Sequence, residues 1–79
     1  MRILKMIWEF RGPESYQTAK HHAIHLEEFA KKHNLEKKEA GVDKESDLYS
    51  IAYLICHEKD MILVRDSLKP HKAFLHQES

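Results

Sequence analysis

The sequence predicts an α+β domain, a two-layer β-α-β-β-β arrangement with one long helix packed on a small mixed or antiparallel sheet. Three observations carry this. Residues 2–10 alternate with a period of two. Residues 13–33 carry apolar side chains at helical spacing. LYSIAYLICH, residues 48–57, is apolar on both faces and rich in aromatic and β-branched side chains.

Each element follows in order. In the first strand Leu4, Met6, Trp8 and Phe10 make one apolar face, while Ile3, Lys5, Ile7 and Glu9 make a mixed one. Gly12-Pro13 punctuates the chain. Pro13 suits a first helical position, and Glu14 complements the dipole there. The helix then runs about five turns, to roughly His33. Glu27 with Lys31 and Glu28 with Lys32 are favourable i,i+4 pairs. Asn34 can take the left-handed conformation that ends a helix, and Leu35 can fold back on the last turn. Residues 35–47 are polar, with a short charged edge strand expected around 37–42 and a loop over 43–47. Glu58-Lys59-Asp60 reads as a hairpin turn, and residues 61–66 as the returning strand. Lys69-Pro70 breaks it, and the tail from about residue 71 has no predicted element and is expected to be loose. The strand from Leu48 belongs in the sheet's centre, because both its faces need cover. A crossover joining parallel strands through the helix would be right-handed.

The chain of 79 residues suits one domain, with a thin core. Cys56 is the only cysteine, which excludes an internal disulfide and fits a reducing compartment. The sequence shows no signal-peptide pattern and no apolar run near the roughly 20 residues that span a bilayer. A cytoplasmic protein without a membrane partner is expected. Thirteen basic residues balance thirteen acidic ones, which argues against a nucleic-acid partner.

One helix covers one sheet face. Leu48, Ser50, Ala52, Leu54 and Cys56 are the smaller set and suit the helix. Tyr49, Ile51, Tyr53, Ile55 and His57 fall on the other side, with Ile3 and Ile7 extending the patch. An uncovered apolar patch usually marks an interface, so a homodimer joined sheet face to sheet face is expected, with Tyr49, Ile51, Tyr53 and Ile55 at its centre. The competing arrangement folds Phe74 and Leu75 over that face within one chain.

Seven histidines are the chemical signal, four of them between Ala19 and His33. At about 100° per residue, Ala19, Ala23, Leu26, Phe29 and Ala30 share the buried helix face. His22 and His33 fall inside that sector, His25 at its margin and His21 outside it. Rim histidines bury a ring and keep a nitrogen wet. The sharper reading is chelation. His21 with His25 is an i,i+4 pair, and His22 with His25 an i,i+3 pair. A third ligand would come from Cys56 or His57, of which alternation lets only one face the helix. The candidate ligand or metal residues are therefore His22, His25, Cys56 and His57, with a zinc-like ion as the cofactor implied. Cys56 beside His22 or His25 could instead form a thiolate–imidazolium pair, although a buried inert thiol is its commoner fate. No HExxH, phosphate loop or nucleophile elbow is present. Arg65, Lys69, His71 and Lys72 gather around Pro70, so Arg65, Lys69 and His71 are candidates for a polar or anionic partner, a nucleic-acid phosphate included, against the plainer reading of a solvated strand end; another protein is a further candidate partner. The functional expectation is a small binding or regulatory module, homodimeric and without catalysis of its own. The alternative is a histidine-based metal-binding protein or a small cysteine/histidine enzyme.

Overall fold

The computed structural model describes residues 2–35 and 39–76. Its elements are β1 (Ile3–Arg11), α1 (Ser15–Lys32), β2 (Glu39–Ser46), β3 (Tyr49–His57), a 3₁₀ turn (Glu58–Asp60), α2 (Met61–Leu68) and β4 (Lys72–His76). The class is α+β, as expected, but the order is β-α-β-β-α-β. The four strands lie β2-β3-β1-β4, with every neighbouring pair antiparallel. β1 is therefore parallel to β2 across β3, and β3 is parallel to β4 across β1, which is the split β-α-β arrangement. β3 is an inner strand, as its two apolar faces require. No helix among the described residues is long and apolar enough to cross a membrane.

Residues 61–66 are a helix, not the expected returning strand. Met61, Val64 and Leu68 recur at helical spacing; Val64 is fully buried and the other two pack partly against the core. Glu58-Lys59-Asp60 leads into this helix instead of turning a hairpin. Lys69 ends it in a left-handed conformation, with φ 49°, and Pro70 prevents continuation. The fourth strand comes from the segment without a predicted element. Phe74 and Leu75 lie in β4 at the sheet's edge, so they do not fold over the open face as one alternative required.

β2 extends to Ser46, through residues expected to form a loop. Pairing with β3 holds Asp43 and Lys44 extended, opposite Ile51 and Ser50. The expected start of that strand, at residue 37, lies outside the described residues. Leu48 is in the turn and exposed, so β3 begins at Tyr49 and Leu48 does not face the helix. α1 begins at Ser15, with Pro13 and Glu14 in the preceding turn. Its end is as expected: Asn34 has φ 55°, and the Leu35 N–H donates to Ala30 O at 3.0 Å, burying the Leu35 side chain.

The core lies between the sheet and the two helices. Met6 and Trp8 of β1 meet Ala52, Leu54 and Cys56 of β3, under Ala19, Leu26 and Ala30 of α1 and Val64 of α2. Trp8 fastens the second helix: its Nε1–H donates to Leu68 O at 2.7 Å.

Candidate functional site

α1 sorts its histidines by angle. His22 points at the sheet, its ring 5.3 Å from Trp8 and 5.4 Å from Phe10 between centroids. Its Nε2 is buried without a hydrogen-bond partner. Burial lowers its pKa, with further depression from His25, His71 and His21. His33 was expected in the same apolar sector but lies just past the helix end, exposed, with its ring tilted 40° against Phe29 at 4.3 Å between centroids.

His21 and His25 are both exposed, and their Nε2 atoms stand 3.1 Å apart. The rings are near perpendicular, at 80°, with centroids separated by 4.7 Å. His25 turns its other nitrogen, Nδ1, to Glu28 Oε1 at 3.4 Å.

Cys56 and His57 go to opposite sheet faces, as alternation dictates. Cys56 is fully buried in the core on the helix side. Burial raises its pKa to about 11, and Asp60 adds to the rise. His57 is on the open face, with its Nδ1 buried and unpartnered. The candidate set His22, His25, Cys56 and His57 is therefore not brought together. Among the described residues no group of three or more His, Cys, Asp or Glu side chains is placed to hold an ion. The pair the fold does assemble is His21 with His25.

The cysteine nucleophile loses its main requirement here. A thiol with a pKa near 11 carries about two orders of magnitude less thiolate at neutral pH than a free cysteine. Native protein is expected to resist iodoacetamide at neutral pH and to react at once in denaturant. Stoichiometric alkylation of the folded chain at the free-thiol rate would contradict this.

The basic cluster is distributed among partners. Arg65 Nε meets Asp66 Oδ1 at 3.1 Å, and Lys72 Nζ meets Glu9 Oε2 at 3.1 Å. Lys69 is the exposed helix terminus. The His71 Nδ1 accepts the Glu9 N–H at 2.7 Å, capping the β1 ladder where β4 has not yet begun.

The open face holds Tyr49, Ile51, Tyr53 and Ile55 in one row, as expected. It is nevertheless not a bare apolar patch. Ile51 is 7 % exposed and Ile55 4 % within the single chain. Their cover comes from neighbouring side chains. Tyr53 lies across Gly41, where a Cβ would stand 2.6 Å from its hydroxyl, and Lys5 sits 4.5 Å over the Tyr53 ring while reaching Asp43 at 3.7 Å. Arg11 sits 4.5 Å over Tyr49, whose hydroxyl donates to Glu9 Oε2 at 2.7 Å. That bond and Lys72 hold the Glu9 carboxyl below its ordinary range. The mixed character of β1, with Lys5 and Glu9 on this side, was the sequence signal for such a cover.

Exposed apolar surface lies elsewhere. Of the six large hydrophobic residues exposed among the described residues, four are in α2 and β4: Ile62, Leu63, Phe74 and Leu75. Two of these, Phe74 and Leu75, lie on the edge strand β4.

No protein-family model, curated protein or solved structure matches the chain. Fold and side-chain geometry define its class: a small split β-α-β domain with one apolar and one charged sheet edge. The fold by itself assigns no activity.

Proposed function

We propose that this chain is a binding or regulatory module without catalysis of its own, and that it works as a homodimer joined along β4. The observation that carries the proposal is the contrast between the two sheet edges. β2 presents Glu39, Asp43, Lys44 and Glu45, the kind of charged edge that resists strand addition. β4 presents Ala73, Phe74 and Leu75, with Phe74 53 % and Leu75 54 % exposed.

Hydrogen-bond parity supports a second copy as the occupant. The Glu58 N–H donates to Arg2 O and the Gly12 N–H to Leu48 O, so even-numbered residues in the β1 register bond toward β3. In an antiparallel sheet the alternate residues bond to the other neighbour. The odd residues Ile3, Lys5 and Ile7 accordingly bond toward His76, Phe74 and Lys72. Ala73 and Leu75 then aim N–H and C=O at the open edge. A two-fold axis at Phe74 sets Ala73 against Leu75 of a second copy, with matching donors and acceptors, small against large on the helix side. The two Phe74 side chains meet on the other side. One strand thus satisfies its own copy, as an isologous interface requires. The cover over Ile51 and Ile55 favours this edge over the sheet face.

The test is native mass spectrometry with light scattering on wild type and Ala73→Pro. Proline removes only an outward N–H, which an edge strand tolerates. Wild type is expected as a dimer at micromolar concentration, and Ala73→Pro as a monomer with an unchanged far-UV circular dichroism spectrum. A monomeric wild type, or an Ala73→Pro dimer of equal affinity, overturns the proposal.

A further inference from the structure

We infer that His21 and His25 form an exposed two-histidine chelate for a divalent transition ion that accepts imidazole in adjacent positions, with Cu²⁺ the best fit. This site is on α1, so it stands or falls separately from the β4 interface.

The argument begins with spacing. Residues four apart on a helix are surface neighbours, which brings the two Nε2 atoms to 3.1 Å. An ion at about 2.0–2.1 Å from each would subtend an N–ion–N angle of roughly 98°. That is close to the right angle between neighbouring positions in a square-planar or tetragonal site, the geometry of Cu²⁺ or Ni²⁺ with N and O donors. The ring positions supply a second check. With each lone pair aimed at one common ion, and a ring centre about 1.15 Å behind its nitrogen, the centroids would lie about 4.8 Å apart. The observed separation is 4.7 Å. Without an ion the two nitrogens share one proton in a hydrogen bond, bent because a straight one would part the centroids by about 5.4 Å, and the ion would take that proton's place.

Glu28 supplies the outer contact. A metal-bound histidine usually gives its other ring N–H to a carboxylate or carbonyl, which fixes the tautomer and ring angle. Glu28 Oε1, 3.4 Å from His25 Nδ1, is within reach of this role, and the His25 Nε2 now shares a proton with His21 Nε2 in a hydrogen bond that the ion would replace. Neither ring is buried, so water has access to the remaining coordination positions. With only two protein ligands, the ion is held less tightly than at a structural four-ligand centre. The chemistry suits an exchangeable ion or one shared with a second ligand.

The experiment is titration of the full chain with Cu²⁺ at neutral pH, followed by electron paramagnetic resonance and by the thermal midpoint. One equivalent per chain is expected, with nitrogen hyperfine structure from two imidazoles and a raised midpoint, because the ion ties two successive turns of α1 together. His21→Gln and His25→Gln are each expected to lose the two-nitrogen signature and weaken binding about tenfold or more. Glu28→Gln is expected to weaken it by about tenfold while keeping two nitrogens. His33→Gln, at an exposed histidine outside the pair, should leave both readouts unchanged. All of these positions are exposed, so each variant is expected to fold. Binding that survives both His21→Gln and His25→Gln, or that falls equally with His33→Gln, overturns the site. So does the absence of a two-nitrogen signal in wild type.

Discussion

Replacing Trp8 with alanine is expected to cost about 3–5 kcal/mol, a large part of the stability such a domain has. Trp8 is 3 % exposed and fills the layer between β1 and the helices. It stands beside Ala52 across the sheet and against the His22 ring, so alanine would leave a cavity that small neighbours cannot fill. It also carries the 2.7 Å bond to Leu68 O, in the last turn of α2. α2 has only Val64 fully buried, so that bond is a principal fastening of the helix. Trp8→Phe keeps most of the ring and removes the donor, and should cost about 1–2 kcal/mol. Urea unfolding followed by circular dichroism measures both, since Trp8 is the only tryptophan. A loss below about 1 kcal/mol for Trp8→Ala would show that the layer is not packed as described.

His22→Phe is expected to stabilise the protein and to flatten its acid response. The His22 Nε2 is buried without a partner, and leaving a buried polar atom unpaired costs about 1–3 kcal/mol. The ring is only partly buried, so the lower end of that range applies. Phenylalanine removes the polar atom and keeps a ring against both Trp8 and Phe10. The direction with pH follows from linkage. Burial lowers the folded-state pKa of His22 below the ordinary histidine value, so between those two values the unfolded chain binds the proton more strongly. Its contribution is therefore fully present above about pH 6.5 and is lost as pH falls toward the folded-state value. The nearby His25, His71 and His21 rings lower the His22 value further. Denaturant titrations on either side of pH 6.5 should show wild type losing stability on the acid side and His22→Phe losing less. Parallel losses in the two proteins would remove His22 from the account.

The parts of the fold that could be read from the residues are those in which one period dominates. β1 and β3 alternate or run apolar for nine residues each, and α1 carries its apolar stripe between clear start and stop signals. α2 could be read either way. Met61-Ile62-Leu63-Val64 is an apolar run that suits a strand or a helix, and only the wider spacing from Met61 through Val64 to Leu68 favours the helix. β4 has no periodic signature because little of it is buried; it exists through pairing with β1, some 70 positions earlier. The charged half of β2 is extended for the same non-local reason.

The candidate site divides along similar lines. The i,i+4 spacing of His21 and His25 was visible, and so was the opposite placement of Cys56 and His57. Convergence of two Nε2 atoms depends on rotamers, which spacing does not fix. The His71 ring that caps the Glu9 amide, and the Lys5, Arg11 and Tyr53 cover of the open face, depend on which strands are neighbours. Strand order was also left open by the alternation pattern.

The pairing of β4 with its own copy is most directly tested by Phe74→Cys and spontaneous oxidation on a non-reducing gel. A non-hydrogen-bonded antiparallel pair has Cα atoms about 4.5 Å apart, within the range of a disulfide at about 4.4–6.8 Å. Cys56 is buried and gives wild type as an uncrosslinked control. Tyr53→Cys reports on the sheet-face alternative. Rapid formation of a disulfide-linked dimer by Phe74→Cys, with Tyr53→Cys remaining single, is the predicted result. A crosslink through Tyr53→Cys, or a dimer in which Phe74→Cys stays reduced, would contradict it.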